Sequence, residues 1–311
     1  MPSPRLFPTR HRGLAQELTR LARALDTDAT ILILGAPGTG KDRLARLLHD
    51  RSDRAARPFV RVDLAAIPDD LVESELFGYE RGAFTGAVSS KPGLLEGADE
   101  GTLYLDRIDT LTLRAQGKLL RLVEERIVRR VGGTRAWPLR ARFVASAAPD
   151  LPRRARSGDF REDLYYRLAV VAVRLPSLGE RRVDVLAGAR AALRAEGCPL
   201  SLSRAAEQAL LTHPWRGNWR ELENVMKRAA LEATTGGGPT VEAVHLGLLD
   251  PSDPEALLSA ASRSGWNLRR LTDAYIALVL EECGGNVAEA SRRLGIARKT
   301  LYERRRGTDP S

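Results

Sequence analysis

The chain has 311 residues, 43% of them hydrophobic and 29% charged, a composition that suits two or three ordinary domains and excludes collagen, coiled coil and wholesale disorder. Its longest apolar stretches, Ile31 to Leu34 and Leu168 to Val173, fall far below the roughly 18 residues that cross a bilayer, residues 1–13 lack the apolar block of a signal peptide, and Cys198 and Cys283 lack zinc-ligand spacing, so a cytoplasmic protein with two reduced thiols is expected. A net charge of +9, carried mostly by Arg, favours an anionic partner, although an Arg-rich, Lys-poor composition also follows from GC-rich coding.

Residues 1–13 form a basic tail. Leu14 to Leu25 repeats apolar residues at helical spacing, and the apolar run Ile31 to Leu34 then stops at glycine, which predicts helix, turn and buried strand. Helical period returns over residues 43–50, while Phe59 to Val62, Thr102 to Leu105 and Phe143 to Ala145 read as further short strands. Strands alternating with helices predict an α/β domain over 14–180, its mainly parallel sheet covered on both faces. From Arg181 only helical patterns remain, up to the Gly-rich stretch Thr234 to Pro239, so 181–249 reads as a separate all-helical unit. A linker over 250–267 leads to a small all-α unit over 268–311.

The first buried strand runs into Gly35, Ala36, Pro37, Gly38, Thr39, Gly40 and Lys41, and a helix follows. In that setting the glycines let backbone N–H groups converge on phosphate oxygens, the helix N-terminus adds a positive dipole, and Lys41 reaches the β and γ phosphates; ATP is the expected ligand. The next residue, usually a Ser or Thr that binds magnesium, is Asp42, which can serve only through its carboxylate or a water. A second nucleotide signature is the apolar run from Gly101 that ends in Asp106, a candidate magnesium ligand. Hydrolases of this class place a Glu directly after that acid to polarise water; here the residue is Arg107.

The stretch from Glu73 to Ala87 closely resembles the signature of bacterial sigma-54-dependent transcriptional activators, the enhancer-binding branch of the AAA+ ATPases. Within it Gly82, Ala83, Phe84, Thr85, Gly86 and Ala87 match the family's sigma-contacting loop in full. The resemblance runs from about Leu14 to Arg306 and implies an AAA+ P-loop domain, a helical lid and an ATPase working as a ring, a hexamer, with dimers when inactive. By the same resemblance, Arg161 and Arg167 in Phe160 to Leu168 are fingers for ATP on a neighbouring subunit, and Arg220 in Pro214 to Leu222 senses the γ phosphate. An acidic residue at Asp42 is common in the family. Three positions depart from it: Arg107 replaces the catalytic Glu, Asp63 replaces the Asn that switches that Glu, and Ala148 replaces the sensor Asn. All three serve hydrolysis, not binding. A general base is worth about 10²- to 10⁴-fold in rate.

Asn286 to Tyr302 reads as helix, Gly turn, helix, with Ala290, Leu294, Ile296 and Leu301 available to pack the pair. It resembles the Fis-type DNA-binding end of the same activators, with Leu268 to Glu282 as a dimerising helix. That implies a second helix in the major groove of enhancer-type double-stranded DNA, offering Arg298, Lys299, Thr300 and Tyr302, while Arg304 and Arg305 grip phosphate. With only residues 1–13 ahead of the ATPase module, the receiver or ligand-sensing domain common in the family is expected to be missing, leaving control to a separate protein or to expression level. The expectation is an ATP-binding, DNA-bound regulator that engages sigma-54 RNA polymerase to promote open-complex formation; the alternative is a hydrolysis-impaired modulator of active paralogues.

Overall fold

The computed structural model describes residues 9–197, 200–235, 240–248, 267–284 and 286–301. The helix expected near Leu14 is α1 (Arg12–Ala22), which buries Leu14, Leu18 and Leu21 along one stripe. Five parallel strands follow: β1 (Ile31–Leu34), β2 (Phe59–Asp63), β3 (Thr102–Asp106), β4 (Arg142–Ala147) and β5 (Val171–Arg174), in the order β2-β3-β4-β1-β5. The edge strand β5 has no counterpart in the sequence reading, because its apolar run continues the pattern of the preceding helix.

Alternation along the strands gives each face its own core. Leu32, Leu34, Leu103, Leu105, Phe143 and Ala145 pack with α3 (Val72–Phe77), α4 (Leu113–Glu125), α5 (Leu151–Ser157) and α6 (Glu162–Leu168). Ile31, Ile33, Tyr104, Val144 and Val173 pack with α1 and α2 (Lys41–Asp50). On this second face the residues turn polar as the strands reach their carboxyl ends. The register sets Arg61 beside Tyr104 and Asp63 beside Asp106, at the edge where open parallel sheets bind ligands.

The lid contains α7 (Val185–Ala195), α8 (Arg204–Thr212) and α9 (Asn218–Thr235). It is not wholly helical, since Ser201–Leu202 pairs in parallel with Thr240–Val241. The chain divides into compact units at Leu246 and Gly247. In the second unit, α10 (Leu268–Glu282) and α11 (Val287–Leu294) bury Ile276, Val279, Ala290 and Leu301 together. Leu294 and Ile296, half-buried, pack against that small core as their spacing predicts. No described helix is long and apolar enough to cross a membrane.

Candidate functional site

Gly38 and Gly40 adopt φ angles of 75° and 97°, which only glycine takes without strain, and the second is the N-cap of α2. The first N–H groups of α2 therefore open onto the loop without intrahelical partners. Thr39 Oγ1 donates to Ala36 O at 2.8 Å, and Lys41 Nζ donates to Gly35 O at 2.7 Å and Ala36 O at 3.2 Å, so the loop is braced internally. Burial lowers the Lys41 pKa even though Asp106, Asp109 and Asp42 oppose that shift. Gly35 to Lys41, expected as a phosphate cradle, forms one internally braced loop at the N-terminus of α2. It opens on a cleft of about 490 Å³ whose lining includes Gly35, Pro37, Gly38, Gly40, Lys41 and Asp42 from the loop.

Asp106 ends β3 nearly buried, and each of its oxygens is engaged. Ser146 donates to Oδ1, Tyr104 OH lies 3.1 Å from the same oxygen, and Arg61 Nη2 donates to Oδ2 at 2.8 Å. Burial works against the charge, but these hydrogen bonds outweigh it and hold the carboxyl below the usual carboxylate range. Asp42 shares two of the partners, Tyr104 OH at 2.9 Å and Arg61 Nη2 at 2.9 Å. A guanidinium nitrogen therefore stands between the two carboxylates expected to serve magnesium. Among the described residues no three His, Cys, Asp or Glu side chains converge as a metal cage would. The donor set as arranged does not fit a divalent ion, which needs free carboxylate oxygens and room for waters.

Arg107 and Asp63, read as a departure from the switch pair, meet directly. Arg107 Nε donates to Asp63 Oδ1 at 3.0 Å, and Nη2 donates to both carboxylate oxygens. The hydrogen bonds that Arg107 donates to Asp63 raise the guanidinium pKa further. Arg107 sits in the left-handed region at φ 60°, with its N–H donated to Ser146 Oγ at 3.1 Å. Asp63 Oδ1 also accepts from Ala65 N at 3.2 Å, capping a short 3₁₀ turn over Leu64–Ala66. Ala148, read as a departure from the family's sensor Asn, lines the cleft with a methyl group.

The lid closes the cleft from the other side with Trp219, Arg220 and Glu223. It is fastened to the phosphate loop by three hydrogen bonds: Asn218 Nδ2 to Pro37 O at 2.9 Å, Trp219 N to Gly38 O at 2.9 Å, and Arg181 Nη2 to Thr39 O at 2.7 Å. A Cβ at Gly38 would stand 2.3 Å from Gly217 O, so a side chain there would force lid and loop apart. Arg220, expected from the resemblance to sense the γ phosphate, is part of this lining. Arg161 and Arg167 are not part of this lining: Arg161 pairs with Asp163 at 2.7 Å and Arg167 with Glu124 at 3.3 Å, both side chains about half exposed.

The segment Gly82, Ala83, Phe84, Thr85, Gly86, Ala87 is a closed turn. Gly82 N donates to Ala87 O at 2.9 Å and Ala87 N to Phe84 O at 3.0 Å, with φ of 81° at Gly82 and 99° at Gly86. Phe84 is 46% exposed, resting edge-on against Tyr79 at 5.0 Å between ring centroids. The base of the turn is locked by Arg130, which donates to Glu96 and Glu80. Gly132, at φ 73°, packs so tightly under Ala83 that a Cβ would lie 2.8 Å from the Ala83 Cβ. In the second unit Arg298 and Lys299 are exposed and Thr300 is half-buried on the helical turn 298–301. Tyr302, Arg304 and Arg305 lie outside the described residues.

Compared with known families, residues 8–174 match the Sigma-54 interaction domain, which alone spans more than half of the chain. The chain belongs to the sigma-54-dependent transcriptional activators. Residues 185–249 match the AAA+ ATPase lid domain, and residues 268–306 match the family described as bacterial regulatory protein, Fis family. Transcriptional regulatory protein FlbD of Caulobacter vibrioides is 41% identical over 92% of this chain and 67% of its own length. The Nif-specific regulatory protein of Azotobacter vinelandii is 41% identical over 96% of this chain and 57% of its own length. Among solved structures, NtrX from Brucella abortus in complex with ATP has a TM-score of 0.70 and 30% identity, covering 96% of this chain and 68% of NtrX. RuvB of Thermotoga maritima, at TM-score 0.51 and 14% identity, shares the fold alone. This sigma-54 activator spans 57% and 67% of the two curated relatives' lengths.

Several residues of the activator's site escaped the sequence reading. Arg61, Tyr104 and Ser146 lie on three strands whose adjacency no local pattern reveals. Arg61 carried one signal: it sits two residues before Asp63, on the same face of β2, where a core strand would place an apolar side chain. Asn218 and Arg181 act from the lid on backbone carbonyls, which leaves no motif.

Proposed function

We propose that this chain is a cytoplasmic, DNA-bound regulator that holds ATP between its phosphate loop and lid and engages sigma-54 RNA polymerase through Phe84 and Thr85. The observation that carries the reading is the complete Gly82–Ala87 turn, with Phe84 exposed at its tip, on the same domain as an assembled phosphate cradle. One oxygen of Asp63, Oδ1, serves both contacts of the coupling. The carboxylate meets Arg107 at the cleft and caps the turn that leads through α3 to the sigma loop. A ligand that changes the hold on Arg107 thus acts on the first residue of the connection to Phe84. Arg161 and Arg167, outside their own cleft, suit a role toward a nucleotide on the next subunit of a ring, a hexamer. Arg298 and Lys299 suit base edges and phosphates of enhancer-type DNA.

The test is capture of purified sigma-54 by the purified chain in the presence of ATP or a transition-state analogue. The unmodified chain should retain sigma-54. Thr85→Ala should lose it with ATP affinity unchanged, and Lys41→Ala should lose both. No retention by the unmodified chain under any nucleotide condition would refute the reading.

A second reading, a DNA-bound modulator of active paralogues that binds ATP with impaired hydrolysis, is favoured by the Arg107–Asp63 ion pair. With Arg107 at the usual base position, Asp63 engaged by it and Ala148 offering no polar group, none of the three can orient water. Single-turnover phosphate release with enhancer DNA and sigma-54 present separates the two.

A further inference from the structure

We propose that Arg61 is the resident cation of the nucleotide site: its guanidinium stands in for a divalent ion between Asp42 and Asp106, so ATP binds without magnesium. This rests on the ATP-binding reading above. The geometry is specific. One nitrogen, Nη2, lies 2.9 Å from Asp42 Oδ2 and 2.8 Å from Asp106 Oδ2, bridging the two acids. The other oxygens of both carboxylates face Tyr104 OH, at 2.9 Å from Asp42 Oδ1 and 3.1 Å from Asp106 Oδ1. Ser146 donates to Asp106 Oδ1 as well. An ion entering between the acids would meet a fixed positive charge and would have to displace it from Asp106, whose side chain is only 7% exposed.

Placement explains why Arg61 serves here. The parallel pairing of β2 with β3 sets Arg61 beside Tyr104, on the face that carries the phosphate loop, and two residues short of Asp63. From that position its stem spans to both acids while the head stays half-exposed at the cleft wall. Arg is suited to the task because its charge persists at all working pH values, and the acids raise its pKa further despite partial burial. The arrangement places one positive charge beside Lys41 without the coordination waters that a magnesium ion brings.

The experiment is calorimetric titration of the full chain with ATP, in excess magnesium and in EDTA. The unmodified chain is expected to bind with affinities within about threefold of each other, whereas Arg61→Ser, which frees both acids for an ion, should bind about tenfold or more tightly with magnesium than without. Arg61→Gln keeps the stem and removes the charge, and decides the matter if Arg61→Ser does not fold. The inference is overturned if the unmodified chain loses about tenfold or more in EDTA, or if the neutral variants are as indifferent to magnesium as the unmodified chain. Absence of ATP binding in both conditions would instead refute the nucleotide reading itself, and this inference with it.

Discussion

Arg107→Glu tests the switch-pair reading most directly, because it restores the residue type expected after Asp106 while leaving Asp63 in place. It removes a two-pronged ion pair and sets a second carboxylate against the first. Two like charges about 4 Å apart repel by about 4 kcal/mol at an effective dielectric of about 20. The Arg107 and Asp63 side chains are 46% and 33% exposed, so solvent screening brings each interaction toward the surface limit, about 1 kcal/mol or less. Losing the attraction and gaining the repulsion should then cost about 1–2 kcal/mol together. Asp63→Asn alone should cost at most about 1 kcal/mol, and the double variant should recover most of the loss through a neutral amide–carboxylate hydrogen bond. Thermal unfolding of the four proteins at low and high salt reads this out, since about 1 kcal/mol moves the midpoint by about 2–4 °C in a domain of this size. The coupling should shrink as salt rises. Additive effects, with a coupling below about 0.3 kcal/mol at low salt, would refute the pairing.

Phosphate release should stay weak in Asp63→Asn/Arg107→Glu, because Arg61 still occupies the acids, and should rise by about 10²-fold or more when Arg61→Ser is added; a full rate in the double variant would show Arg61 to be irrelevant to turnover. Gly188→Ala places a Cβ 2.1 Å from the Trp219 ring, an overpacking expected to cost about 1–3 kcal/mol; a matching change in Trp fluorescence and weaker ATP binding would report the shifted cleft wall, and an unperturbed melting profile would contradict it. His213 is held below its ordinary value of 6.5 by burial, and its Nδ1 accepts from Trp215 N at 3.2 Å. The unfolded chain therefore binds this proton more readily, so the stability it contributes is complete above about 6.5 and falls as pH drops below that value; His213→Gln should flatten that slope in pH-dependent urea titrations. Specific DNA binding should weaken steeply with salt, each neutralised phosphate adding about −0.9 to the log–log slope, and Arg298→Ala should weaken binding and lower the slope by about 1; an unchanged slope would take Arg298 off the phosphate backbone.

Contiguous motifs were legible because their chemistry is local. Gly35 to Lys41 needs only a strand before it and a helix after it, and Gly82 to Ala87 closes on its own backbone. The helix–turn–helix shows in the spacing of Ala290, Leu294, Ile296 and Leu301, since a short helical pair has few ways to hide four apolar side chains. The departures at Asp63 and Arg107 were legible through a family resemblance, and the pairing of β2 with β3 is what brings the two side chains together. Tertiary structure alone decided the rest. Arg61, Asp42 and Asp106 lie on three elements, and whether an arginine on a half-buried strand faces solvent, a carboxylate or a phosphate depends on which strand pairs beside it and in what register. Asn218 and Arg181 reach backbone carbonyls of the phosphate loop, partners that every residue offers and no side-chain pattern marks. The sequence by itself therefore determined the glycine-rich loop between β1 and α2, the Gly82–Ala87 turn and the helix–turn–helix pattern. The sheet order β2-β3-β4-β1-β5 decided what fills the space between the two acids, because charge placement at the carboxyl edge of a sheet is set by long-range pairing.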